Sequence, residues 1–177
     1  KMELPDGLKT IGSYAFYSCE SLSSIKFPDG VTTILEYAFY NCSSLVSVGI
    51  PESVKSIGEY AFYNCKSLKN IVIPDEIYEI SDYAFYGCLA LEILPISSNS
   101  QLLGIYDYAF ANTGIKELNL PTTLIDIGDY AFKGIKAKNI VIPTELQDQL
   151  IIGLGAFAEC NELESITIPF VGASLDD

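Results

Sequence analysis

The sequence contains no histidine, no arginine, no tryptophan and a single methionine. Without histidine, neither a Ser-His nor a Cys-His nucleophile pair can be assembled. Cationic side chains are scarce as well: ten lysines face 23 aspartates and glutamates, a formal charge of −13. Such a surplus repels a phosphate backbone, which excludes nucleic acid as a partner. Every apolar run stays short of the roughly 18 residues needed to cross a bilayer, so no membrane insertion is expected of this segment. The opening KMELPDG lacks the apolar stretch of a signal peptide. What the chain does have is apolar: 49% of its 177 residues are hydrophobic against 19% charged. That balance supports a packed core in one domain of ordinary size.

The apolar residues recur with a period. The pair Ala-Phe returns with its Phe at 16, 39, 62, 85, 110, 132 and 157, at intervals of 23, 23, 23, 25, 22 and 25. Seven of the eight prolines (Pro5, Pro28, Pro51, Pro74, Pro121, Pro143 and Pro169) share one slot of the same period. In the remaining coil that slot holds Ser97, with Pro95 two places early. The unit reads C-x-x-L-x-x-I-x-I-P-x-x-V-x-x-I-G-x-Y-A-F-Y-x. Segments such as Ile25-Lys26-Phe27 and Ile71-Val72-Ile73 alternate toward strand, and the proline that follows stops the pairing. A second apolar pair, Val31/Ile34 or Val54/Ile57, turns the chain back over the core. The Gly, the Asp, Glu or Ser, and the Tyr-Ala-Phe that come next predict a capped single helical turn. One such unit cannot bury its own apolar side, but stacked copies share a continuous core. At ~4.8 Å per stacked strand, about seven coils extend ~35 Å.

These phased motifs resemble the leucine-rich repeat proteins of the BspA-like type, whose unit is similarly C-x-x-L-x-x-I-x-I-P with I-G-x-x-A-F. The resemblance covers Leu4 to Pro169. It implies an α/β leucine-rich-repeat solenoid, right-handed, with a short parallel concave sheet and with helical turns and loops on the outer side. It also implies a bacterial or protist protein at the cell surface or outside the cell, working by adhesion. The ending IPFVGAS resembles the start of an insertion between repeats in some bacterial members. Residues 1–177 read as one solenoid segment of about seven coils, and, with no polar cap at either end, as a piece of a longer protein.

Irregular coils stand out against the period. SSNSQLLGIYDY, before Phe110, carries two extra residues, and PTELQDQLIIGLG, from Pro143 to Gly155, carries three. Insertions in solenoids bulge as loops on one face.

Several motifs invite chemistry. Cys19, Cys42, Cys65, Cys88 and Cys160 occupy one slot, filled elsewhere by Thr113 and Ile135, which marks it as a buried apolar slot holding reduced thiols. A linear column suits neither a disulfide nor tetrahedral zinc. GLGAFA at 153–158 matches a dinucleotide fingerprint, yet Gly153 fills the repeat's own glycine slot and no crossover helix follows. No cofactor and no metal are therefore expected. Glu36, Glu59, Asp82, Asp107 and Asp129 form a carboxylate column, read as helix caps on a solvated face or, alternatively, as oxygen ligands for Ca²⁺. Tyr14, Tyr37, Tyr60, Tyr83, Tyr108 and Tyr130 precede Ala-Phe, while Tyr17, Tyr40, Tyr63 and Tyr86 follow it. Such ladders seal a core or, alternatively, stack sugar rings.

The strand face is the candidate binding surface. Alternation points Ser24, Lys26, Ser47, Gly49, Asn70, Val72, Ile93, Pro95, Glu117, Asn119, Asn139, Val141, Ser165 and Thr167 outward. Of these, Asn70, Val72, Ile93, Pro95, Glu117, Asn119, Asn139 and Val141 are the candidate site: an apolar centre with amide and acid groups around it. The expected function is non-catalytic, a surface module for adhesion or protein–protein interaction with a protein or other surface macromolecule. The alternative is a spacer with no ligand of its own.

Overall fold

Two separate ladders of strands run along the stack. In the computed structural model, which describes residues 4–143 and 150–168, the strands are two or three residues long. In chain order they are β1 (Thr10–Ile11), β2 (Ser24–Lys26), β3 (Thr33–Ile34), β4 (Ser47–Gly49), β5 (Ser56–Ile57) and β6 (Glu79–Ile80). They continue with β7 (Gly104–Ile105), β8 (Asp126–Ile127), β9 (Asn139–Val141), β10 (Ile151–Ile152) and β11 (Ser165–Thr167). All pairing is parallel. The first ladder comprises β2–β4 and β9–β11, with single bridges Ser47–Asn70, Ile93–Glu117 and Leu118–Ile140 between them. The second comprises β1–β3–β5 and β6–β7–β8–β10. The second apolar pair of the repeat thus builds a sheet of its own. That sheet is interrupted once, between β5 and β6, where the Ser81 hydroxyl donates to the Ile57 carbonyl at 2.8 Å. The equivalent carbonyls of Ile34 and Ile80 are met by backbone N–H groups of Gly58 and Tyr106.

The expected helical turn is not formed; no helix occurs among the described residues. Tyr-Ala-Phe-Tyr instead lies in a non-helical turn stacked on its copies. Every second N–H leaves the coil: Tyr60, Phe62 and Asn64 donate to the carbonyls of Asp82, Ala84 and Tyr86, at 3.0, 2.8 and 2.7 Å. The alternate residues bond locally, with Ala61, Tyr63 and Cys65 donating to Gly58, Tyr60 and Phe62. A helix would keep all of these donors within the coil. The alternation requires left-handed backbone twice per turn: at Tyr60 (φ 56°) and at Asn64 (φ 55°), with their copies doing the same. The second position holds Asn or Gly in five coils, the residues that tolerate this region best.

Inside, one apolar cluster runs from Ile11 to Ala156. Its spine is the phenylalanine column. Phe39, Phe62, Phe85, Phe110 and Phe132 are completely buried. Phe62 lies between Phe39 and Phe85 with ring centroids 5.2 and 5.3 Å away, as its place in the repeat predicts. Phe16 and Phe157, in the outermost coils, are only partly buried.

Candidate functional site

The outward residues of the first ladder form a face with two grooves. The groove over the early coils encloses about 890 Å³ and takes in Asn70, Val72, Ile93 and Pro95 from the candidate set. The groove over the later coils encloses about 780 Å³ and takes in Glu117, Asn119, Asn139 and Val141. The eight residues therefore divide between two sites. Val72 and Ile93 are each 66% exposed and Val141 58%, and the four amide and acid residues are exposed. Pro95 is the exception: it is buried. Its carbonyl stays in register, accepting from the N–H of Ile73 at 2.8 Å. The pyrrolidine ring folds back on its own backbone and does not stand off the sheet as Val72 does.

The alternation rule missed the groove rims. Lys69, Ile96 and Ser97 line the first groove, and Lys116, Lys136, Lys138 and Glu162 line the second. Lys69 and Lys138 sit one residue before an outward slot, so extending the outward window by one residue would have found them. Ile96 and Ser97 follow from the displaced proline of that coil. The two rims differ electrically. In the second groove Lys136 and Lys138 pair with Glu162 and Glu164 of the next coil at 3.9 and 3.1 Å, and Lys116 pairs with Glu92 at 3.0 Å. The first groove has Lys26 and Lys69 and no acidic residue in its lining.

The other columns are occupied structurally. Neighbouring tyrosine rings are stacked, 4.7–4.9 Å apart in the longer ladder and 4.7–5.0 Å apart in the shorter one. Ring faces are spent on each other, so a sugar would find only edges along the ladder. Burial, followed by the neighbouring phenols, pushes the hydroxyls of Tyr60, Tyr63 and Tyr83 up. In the carboxylate column, Asp82, Asp107 and Asp129 accept the backbone N–H of Asp107, Asp129 and Leu154 at 3.0, 2.8 and 2.7 Å. These side chains bridge coils; they do not cap helices. Among the described residues no three His, Cys, Asp or Glu side chains converge as metal ligands.

All five cysteines are free. Cys42, Cys65 and Cys88 are buried, and each thiol donates to the carbonyl of the Phe one coil back (Phe16, Phe39 and Phe62) at 3.0–3.2 Å. Burial pushes the Cys42 thiol up to about 11 and holds those of Cys65 and Cys88 well above the ordinary thiol range. Cys19 departs from the expectation of a uniformly buried slot: it is exposed. In GLGAFA, Gly155 takes the tyrosine slot with φ 59°, and a β-carbon there would meet Tyr130 Cε1 at 2.6 Å. Gly155 thus sits in an ordinary slot of the repeat, one that tyrosine fills in six other coils with the same left-handed φ.

Stacked parallel coils with a shared apolar spine and a grooved strand face define a leucine-rich-repeat solenoid. The family model of the BspA type leucine rich repeat region matches in six copies, over residues 1–104 and 103–175. The chain belongs to that family. In structure it is similar to a leucine-rich repeat protein from Bacteroides ovatus (TM-score 0.59, 24% identity, 90% of this chain and 58% of that one). It is also similar to a leucine rich cell surface protein from Faecalibacterium prausnitzii (0.54, 22%, 92% and 65%). A third such protein is the leucine rich repeat protein of T. pallidum (0.53, 22%, 92% and 64%). This chain thus spans less than two thirds of each of these proteins. No curated protein matches the sequence. No helix among the described residues is long and apolar enough to cross a membrane. IPFVGAS, apart from Ile168, and the start of the three-residue insertion at 144–149 lie outside the described residues.

Proposed function

We propose that this chain is a non-catalytic interaction segment of a bacterial surface protein, and that its partner, a protein on a host or neighbouring cell, rests on the strand face. The observation that carries this reading is the exposure of Val72, Ile93 and Val141 over grooves of about 890 and 780 Å³. The tyrosine ladders, by contrast, stack on themselves. Apolar side chains held in the open over both grooves suit an interface with an apolar centre and a polar rim. The surface description of the F. prausnitzii protein supports the same setting.

The test is an exchange footprint. The protein is immobilised, a partner is retained from a cell-surface extract, and amide hydrogen exchange is compared with and without it. Protection confined to 47–49, 70–73, 93–97 and 139–141 supports the reading. Protection over the tyrosine turns contradicts it, and no protection anywhere leaves the spacer role.

A further inference from the structure

The two grooves are not equivalent, and the difference points to a ligand chemistry for one of them. Aspartate and glutamate outnumber lysine 23 to ten in this chain, yet the sixteen residues lining the first groove include two lysines and no acid. The local charge is therefore opposite to that of the molecule. Both lysines are exposed, and among the described residues neither forms an ion pair. Glu92, the acid in the slot next to Lys69, is engaged by Lys116 at 3.0 Å. Between Lys26 and Val72 stands Gly49, where a β-carbon would come 3.2 Å from Lys26 Cγ. The aliphatic stem of Lys26 thus lies over a gap in the side-chain row, with its ammonium free to reach toward the rim. The floor beyond is apolar, ending in Ile93 and Ile96.

Resting on the strand-face reading above, we propose that the first groove takes an extended peptide segment of the partner that places apolar side chains on Val72 and Ile93 and a single aspartate or glutamate against Lys26 and Lys69. Charge complementarity selects this occupant. A polyanion would meet repulsion from the rest of the surface, and a cationic segment would meet the two lysines with no counter-charge.

The test is selection from a phage-displayed library of random linear heptapeptides on the intact chain. The selected peptides are expected to carry Asp or Glu beside apolar residues. They should lose affinity roughly tenfold on the Lys26→Glu/Lys69→Glu variant, as two reversed exposed pairs imply, and weaken with added salt. Lys9→Glu, an exposed lysine outside both groove linings, should leave their binding unchanged. Peptides without an acidic bias that are still lost on Val72→Gln/Ile93→Gln would overturn the carboxylate inference and leave the strand face standing. Peptides indifferent to both double variants, or a selection that enriches none, would overturn both.

Discussion

The thiol of Cys65 donates to the carbonyl oxygen of Phe39 at 3.2 Å, across one coil, while the backbone N–H of Cys42 meets the same oxygen at 3.1 Å. One carbonyl thereby ties a turn to itself and to the next. The cysteine slot is a weak polar seam inside an apolar core; Thr113 fills it by donating to the carbonyl of Phe110 of its own coil at 2.9 Å, and Ile135 fills it by apolar packing alone.

Thiol reactivity should follow this seam. Reaction of the folded 177-residue chain with a thiol reagent should show one fast group, Cys19, a slower one at the partly buried Cys160, and three that respond only on unfolding. After denaturation without reductant the count should be five. A denatured count of one or three would mean disulfides and contradict the seam.

The phenylalanine column should carry the stability. Phe62→Ala is expected to cost about 3–5 kcal/mol in urea melts, as large-to-small changes in a close-packed core do. Tyr63→Ala, a half-buried ring stacked at 4.7 and 4.8 Å on its neighbours, should cost about 1–3 kcal/mol from the two lost stacking pairs. Equal losses would contradict the assigned inside and outside of the turn.

Left-handed backbone should be expensive to remove from glycine. Gly87, at φ 71°, would bring a β-carbon onto the Asn64 side chain. Gly87→Ala is expected to destabilise by about 1–2 kcal/mol. Gly7→Ala, with open space around it and no left-handed φ, should be close to neutral. Similar melting temperatures for the two variants would contradict the turn geometry.

Asp82 offers a pH test. Burial, and then the nearby Asp107 carboxylate, raises its pKa, while the N–H bond it accepts acts the other way. A raised carboxyl pKa means that this group favours the fold when protonated, and that its contribution is lost as pH rises through the folded value. At neutral pH, Asp82→Asn keeps an acceptor for the Asp107 N–H without the charge, so it should be at least as stable as the parent. Asp82→Ala strands that N–H and should cost about 1–2 kcal/mol. At pH 3 the advantage of Asp82→Asn should vanish. Thermal melts at the two pH values check this, and an Asn variant less stable than Ala would contradict it.

Much of the fold was legible because period alone assigns inside and outside. The slots of Phe62, Leu68, Ile71 and Ile73 are buried, and those of Asn70 and Val72 are exposed, as alternation requires. The turn was misread because Asp-Tyr-Ala-Phe has the side chains of a capped helix, while its backbone answers to the next coil. Hydrogen bonds between coils are a property of the stack and cannot be seen in one repeat. A cue was nevertheless present in Asn41, Asn64, Gly87, Asn112 and Gly134, which hold the left-handed slot before five of the seven cysteine positions. At the site, the exposed apolar trio could be read from alternation. The burial of Pro95 and the separation into two grooves could not, because both arise in the irregular fourth and fifth coils.

The binding of the Val72→Gln/Ile93→Gln/Val141→Gln variant to the partner retained by the parent protein tests the central claim most directly. All three side chains are exposed, so the variant should melt within about 4 °C of the parent and should lose the partner. A variant that folds and still retains the partner at the parental level would contradict the strand face as the interaction surface.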